Sequence, residues 1–326
     1  MTQRLPEPAA RPWQPGRVPD RPRLLLDCDP GLDDAVAIAL ALRHGDVVGI
    51  TTVGGNVGLD RTTANALAVC ELLGRPDVPV HAGHDLPSNG KAPLRAPHVH
   101  GESGLGDARL PVAERAAASD DAVGFIIESV RAAEGLWLVP TGPLTNVADA
   151  LASAPDLVDK VAGICWMGGS ATRGNATAAA EFNALADPEA AAVVFTAGVP
   201  ELIMVGLNVT ETVTVAHELI DRLRHAGTAV SLAYLDMLSG IVDRAINSWN
   251  RPGAAMHDAL AVLRITHPAL FSGSRRHVVV ECAGTHTRGM TLVDHRPSGA
   301  AATNCEVVEW ADADAVRTLL TEALTA

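Results

Sequence analysis

The apolar run Leu24-Leu25-Leu26 passes through "DCDPGLDD" and straight into "AVAIALAL". The first stretch predicts a strand over 23–29 and the second a helix near 33–43. The alternation continues. Short apolar runs predict strands at 46–56, 78–83, 136–142, 162–169 and 201–208, and helical patterns fall at 60–73, 120–134, 144–153 and 187–197. From there to about 267 the chain reads as helical. Strand-like segments follow at 277–283, 289–295 and 304–310, and the chain closes on a helix. A stretch rich in Gly, His and Pro, 84–119, reads as one long loop.

Strands alternating with helices predict an α/β fold: a doubly wound, mainly parallel open sheet flanked by helices, with a small late β segment. Continuous apolar strands suit a sheet buried on both faces. No linker-like stretch interrupts the chain after residue 22, so residues 23–326 are expected to form a single domain. Residues 1–22, rich in Pro and Arg, read as a flexible N-terminal extension and lack the apolar centre of a signal peptide. Polar residues gather where the strands end: Asp29, Asn56, Thr141, the Met167-Gly168-Gly169 turn and Asn208. Open α/β sheets bind ligands outside the carboxyl ends of their strands, so these distant segments are expected to converge on one crevice.

Composition narrows the partners. A net charge of −13 over 326 residues argues against a nucleic-acid backbone or an anionic membrane as the main partner. The same acidic balance fits a cytoplasmic protein, and no apolar run approaches the ~18 residues of a membrane span, so none is expected. No GxGxxG follows the first strand, so a dinucleotide cofactor is not expected. Five cysteines, at 28, 70, 165, 282 and 305, show no CxxC spacing and lie in apolar runs. They read as reduced, buried thiols rather than a disulfide or zinc framework.

The chemistry concentrates in Asp27, Asp29, Asp33 and Asp34. Clustered carboxylates stay ionised together only when a cation or hydrogen-bond donors compensate them. Asp33 and Asp34 open a helix, whose free N–H groups favour negative charge, and either alone could be a simple cap. Four together, with Pro30-Gly31 bending the chain between them, point to a cation site. The donors are hard oxygens with no thiolate nearby, which favours Ca²⁺ or Mg²⁺ over zinc. An EF-hand is excluded, because Leu32 and Ile38 stand where that loop needs Gly and Glu. Further clusters are His257-Asp258 before an apolar helix, Asn175, Glu181 and Asn183 near a Pro-marked helix start, and His98, His100 and Glu102 in the long loop.

These motifs together resemble the nucleoside hydrolases of the inosine–uridine type. The carriers are "DCDPGLDDAVAI", "TTVGGN", "HGESGLGD", "VPTGPLTN", "WMGGS", "GNATAAAEFN" and "MHDALAV", in family order across residues 23–310. The resemblance implies the nucleoside hydrolase fold, which is Rossmann-like, and hydrolysis of the N-glycosidic bond of ribonucleosides to ribose and a free base. It implies a Ca²⁺ ion held by Asp29, Asp34, the Thr141 backbone carbonyl and Asp258, with a water and two ribose hydroxyls completing the shell. Asp27 would orient these ligands. Asp33, Asn56, Asn175, Glu181, Asn183 and the Met167 backbone would grip the ribose. Asp29 would act as general base toward the water, and His257, with an ordinary pKa near 6.5, as general acid toward the leaving base. His100 and Trp249 are expected as further substrate contacts, with a packed core or surface position the alternative for Trp249, and a homodimer or homotetramer is the implied assembly.

The chain departs from the family in its aromatics. The helix before His257-Asp258 carries Tyr234, the sole tyrosine, and Trp249 follows it; aromatic content is only 3%, so few rings are available to stack on a base. Two other readings compete. A Mg²⁺-dependent phosphatase of the haloacid dehalogenase type shares an Asp-x-Asp after its first strand but needs a later Lys, and the chain offers only Lys91 and Lys160. A nucleoside-binding homologue without turnover would not need every expected ligand, and all are present.

Overall fold

A computed structural model describes residues 21–296 and 301–326. The expected N-terminal extension therefore lies outside the described residues up to position 20. At its end the Arg21 guanidinium donates to the carbonyls of Leu42 and Gly45, at 3.2 and 2.8 Å.

The order begins β1 (Arg23–Cys28), α1 (Leu32–His44), β2 (Asp46–Thr52), α2 (Leu59–Leu72) and β3 (Val80–Ala82). The long connection then carries one helical turn, α3 (Pro97–His100), before α4 (Ala122–Ala132). Next come β4 (Trp137–Pro140), α5 (Thr145–Ser153), β5 (Gly163–Met167), α6 (Phe182–Ala186), α7 (Pro188–Thr196), β6 (Leu202–Val205) and α8 (Leu207–Thr210). After β7 (Thr214–Val215) two helices run consecutively, α9 (His217–Ala226) and α10 (Ala229–Asn247). The chain continues with β8 (Ala254–Ala255), α11 (His257–Thr266), β9 (Phe271–Arg276), β10 (Val278–Val280), β11 (Thr291–Val293), β12 (Cys305–Ala311) and α12 (Ala313–Thr325).

Eight strands form one sheet in the order β3-β2-β1-β4-β5-β6-β12-β9. All neighbours are parallel except β9, which runs antiparallel to β12 at the edge. The doubly wound reading therefore holds, with two differences in the late segment. The strand expected at 304–310 does not stay with the small β unit; it enters the main sheet beside β6. β9, "FSGSRR", has no apolar alternation to reveal it and is strand because β12 offers it an edge. Among the described residues of this late segment, β10 and β11 pair antiparallel as a separate hairpin. The stretch expected to be helical up to 267 is interrupted by β7 and β8, which pair antiparallel as Thr214↔Ala255 and Val215↔Ala254.

Strand alternation divides the core. Leu24, Leu26 and Cys28 pack on the face carrying α1, α11 and α12, while Leu25 packs on the face carrying α4, α5 and α7. Asp27 shares Leu25's parity and so meets α5. Cys28, Cys70, Cys165 and Cys305 are buried free thiols; Cys282 is half-buried, contrary to the expectation for all five.

Strand order reverses between β1 and β4, whose crossovers leave in opposite directions. Their carboxyl ends part there and open a crevice. Asp29 follows β1 and Thr141 follows β4, tied by Thr141 N–H donating to the Asp27 carbonyl at 2.9 Å.

Candidate functional site

The aspartates occupy this crevice and are buried to different depths. Asp27, Asp29 and Asp34 are almost wholly buried, and Asp33 and Asp258 are exposed by only 8% and 4%. Asp33 and Asp34 sit in the first turn of α1 and Asp258 in the first turn of α11. Two helix N-termini thus converge on the same carboxylates, and their free amides favour negative charge there. Oxygens of Asp33, Asp34 and Asp258 lie within 4.8 Å of one another, a grouping that could hold a metal ion.

Each expected ligand has a defined setting. Asp34 Oδ2 accepts from the Gly31 amide at 2.9 Å and Asn56 Nδ2 at 3.2 Å, and Oδ1 accepts from the Thr141 hydroxyl at 2.8 Å. Asp29 Oδ2 accepts from the Asn56 amide at 2.7 Å. Asp29 Oδ1 is buried without a hydrogen-bond partner. Asp27 Oδ1 accepts from Thr51 Oγ1 at 2.7 Å and Asn146 Nδ2 at 2.8 Å, but its Oδ2 has no partner either. The Thr141 carbonyl accepts from Asn183 Nδ2 at 2.7 Å. Asp33, expected on the sugar, joins the trio with Asp34 and Asp258; Asp29 is raised in pKa by burial, reinforced by the charge of Asp34.

Electrostatics and geometry agree on what this cluster suits. Burial, reinforced by the neighbouring carboxylates, pushes Asp29 and Asp258 well above the ordinary carboxylate range. Burial raises Asp34 and carries Asp33 up to about 7 and Asp27 to about 6. Carboxylates so crowded ionise together only against positive charge, and Asp29 Oδ1, buried without a hydrogen-bond partner, is available to ligate a cation. An oxygen-only donor set of this kind fits a hard divalent cation.

The sugar-binding candidates line one cavity of about 680 Å³. Its wall takes Asp33, Asn56, Thr141, Met167, Asn175, Glu181, Asn183 and Asp258 from the strand ends and helix starts. It takes His100, His257 and Trp249 as well, so every expected substrate contact borders the same space. Glu181 caps α6, accepting from the amides of Gly169, Asn183 and Ala184, and burial raises its pKa. Asn183 Nδ2 also donates to the Met167 carbonyl at 3.0 Å, so that carbonyl already has a partner. Asn175 is the most exposed of the set and accepts from the Phe182 amide.

The long loop delivers His100. Its Nδ1 accepts the Leu32 amide at 3.2 Å, and a side chain on Gly31 would collide with that ring. Asn65 pins the same loop to β1's end, donating to the carbonyls of Pro30 and Ser103 at 2.9 Å each. Burial lowers His100 to about 3, so its ring is neutral. Glu102, singled out beside it, faces a separate smaller cleft of about 380 Å³. Burial also lowers His257 to about 4. This differs from the ordinary value expected of an imidazolium acid: at neutral pH the ring is uncharged and offers a hydrogen bond rather than a ready proton.

Tyr234 is core: it is fully buried and its hydroxyl donates to the Ala35 carbonyl at 2.7 Å. Trp249 is the aromatic that reaches the cavity, 43% exposed, joined by Phe182. Ile241, Ala245 and Met256 complete an apolar wall. Lys160 is ion-paired to Asp156 at the surface and Lys91 is exposed; neither borders the cavity.

Sequence reading missed the supports. Gly55 and Gly142 flank the Asp29 carboxylate: a Cβ on Gly55 would collide with Oδ2, and one on Gly142 would lie 2.6 Å from Oδ1. Asn146 holds Asp27, and Asp187 fastens the long loop by accepting from Ser88 and Thr145. The "GG" before Asn56 and the Asn of "PLTN" were their only signals.

A Rossmann-like sheet with a carboxylate nest at its switch point, opening into a cavity that pairs polar with apolar walls, defines an α/β enzyme acting on a small polyhydroxylated substrate. The chain belongs to the inosine-uridine preferring nucleoside hydrolase family, whose model matches residues 24–318. It is thus a hydrolase of N-glycosyl compounds. It is 38% identical over 305 residues to the pyrimidine-specific ribonucleoside hydrolase RihA of Shewanella sp. (strain MR-7), covering 92% of this chain and 95% of that one. RihA of Escherichia coli (strain K12) is 41% identical over 276 residues, covering 83% and 88%. Among solved structures, a purine-preferring ribonucleoside hydrolase from Gardnerella vaginalis superposes with a TM-score of 0.87 at 32% identity, covering 93% of this chain and 98% of its own. A plant nucleoside hydrolase gives 0.86 at 30%, covering 94% and 99%.

Proposed function

We propose that this protein is a Ca²⁺-dependent ribonucleoside hydrolase that releases ribose and a free purine or pyrimidine base. The observation that carries the reading is the buried carboxylate cluster bordering one cavity with all the expected ribose contacts. Asp29, Asp34, Asp258 and the Thr141 carbonyl would hold the ion, with Asp33 close enough to share the work. When bound, such an ion supplies charge that keeps the carboxylates ionised and lowers the pKa of a water beside it.

The residues of the chain do the rest. Cleavage of an N-glycosidic bond develops positive charge on the ribose and negative charge on the base. The carboxylates of Asp33 and Glu181 face the first of these charges. Asp29 is the base that takes the proton of the attacking water. Asn56, Asn175, Asn183 and the Met167 backbone orient the sugar, whose hydroxyls both donate and accept. His257 and His100 meet the leaving base as neutral donors. Ile241, Ala245, Trp249 and Phe182 give the base contact area with few groups to read its polar edge, so both base classes fit. The pyrimidine-specific name of the RihA relatives and the purine-preferring name of the Gardnerella vaginalis neighbour bracket this breadth. A cytoplasmic homodimer or homotetramer is part of the proposal. Among the described residues no helix is long and apolar enough to cross a membrane.

The test is reducing-sugar release from inosine, guanosine, adenosine, uridine and cytidine. Ribose is expected from at least one purine and one pyrimidine nucleoside. No ribose from any of the five would sink the proposal.

A further inference from the structure

We propose that Thr210 is a positioning residue that fixes the tautomer of His257, so that the ring presents its Nε2–H to the leaving base. The inference rests on the proposed N-ribosyl hydrolysis for its consequence, and on geometry alone for the tautomer.

Thr210 Oγ1 lies 2.7 Å from His257 Nδ1, across 47 residues of sequence. The threonine is fully buried. Its hydroxyl forms no other hydrogen bond among the described residues. A buried hydroxyl left without an acceptor is costly, and among the described residues the acceptor it meets is the ring nitrogen. The hydroxyl therefore donates to Nδ1. A neutral imidazole has one proton, so that proton sits on Nε2. The reverse arrangement, Nδ1–H donating to Oγ1, would leave the hydrogen of the buried Thr210 hydroxyl without a protein acceptor among the described residues and turn a bare Nε2 lone pair toward an electron-rich leaving group.

Thr210 is a rigid point from which to do this. It ends α8, the turn leaving β6, and that turn is tied on three sides. The Leu207 amide donates to the Gly169 carbonyl at 3.0 Å, Asn208 Nδ2 donates to the Val308 carbonyl at 2.9 Å, and Asn208 Oδ1 accepts the Ala171 amide at 3.2 Å. His257 is brought alongside by the β7–β8 ribbon and by the Met256 amide donating to the Val213 carbonyl at 3.3 Å. His100 follows the same logic by another route, with its Nδ1 occupied by the Leu32 amide, which can only donate. That parallel supports the assignment: both cavity histidines have Nδ1 engaged by a protein donor and Nε2–H left for substrate.

Two experiments test it. In wild-type protein labelled with ¹⁵N-histidine, ring-nitrogen correlations should show Nδ1 of His257 bare and Nε2 protonated, the His257 signals being those lost in His257→Gln. An Nδ1–H tautomer would overturn the proposal, and this readout stands whether or not the protein turns over nucleosides. In kinetics, Thr210→Val keeps the shape and removes the hydroxyl. It should lower kcat for inosine or uridine about tenfold or more, with KM changed less than about threefold. The loss on p-nitrophenyl riboside, whose leaving group needs no donor, should be much smaller, and Thr210→Ser should recover most of the natural activity. Equal losses on both substrates, or no loss on the natural nucleosides, would overturn a positioning role.

Discussion

Asp29, the proposed general base, illustrates how little room the crevice leaves its side chains. Its carboxylate lies in a slot between Gly55 and Gly142, with one oxygen held by the Asn56 amide and the other unpartnered. Neither glycine has a positive φ, so alanine is acceptable to the backbone at both positions, and at Gly55 the nearest atoms all belong to Asp29, so only the slot is disturbed. Gly55→Ala should therefore lower kcat by about 100-fold or more, on the scale of losing a general base, while circular dichroism shows an intact fold. Activity within a few-fold of wild type would show that Asp29's position is not critical. The aspartates themselves were legible, because four carboxylates in eight residues have few structural uses. The residues that contact the site's side chains from afar were not. Asn146, Thr210 and Gly55 act through contacts 119, 47 and 26 residues away, to Asp27, His257 and Asp29, and no local pattern announces such contacts.

At the scale of elements, α1 and α11 meet at both ends. Their N-termini share the carboxylates, and their C-terminal ends bring His44 and His267 edge to face with ring centroids 4.7 Å apart. Burial lowers His44 to about 4, helped by the charges of His267, Arg43 and Arg21, and burial lowers His267 in the same direction. The folded pKa of His44 lies below its ordinary 6.5, so between those values the unfolded chain takes up the extra proton. This contribution to stability is present above pH ~6.5 and is lost as pH falls toward ~4. Chemical denaturation at several pH values should show wild type losing more stability than His44→Gln over that window; parallel curves would contradict the assignment. The helices were legible because apolar spacing marks them. Strands β7, β8 and β9 were not, since two are only two residues long and β9 is polar; each is a strand only because its partner is there.

For the whole molecule, sheet order decides where chemistry occurs. Strand order reverses between β1 and β4, and the first motif of the chain falls at that opening. Apolar strands alternating with helices were enough to foresee a doubly wound sheet and a crevice at its carboxyl edge. They could not show that β12 inserts between β6 and β9, because strand order is set by packing across the sheet rather than by any one segment. The central claim is that this crevice breaks N-glycosidic bonds only with a hard divalent cation among its carboxylates. The most direct measurement is ribose release from inosine and uridine by chelator-stripped protein as Ca²⁺ is titrated back. The account predicts no turnover in the stripped protein and full recovery on binding a single ion per chain. Undiminished turnover after stripping, or Ca²⁺ binding that restores nothing, would contradict it.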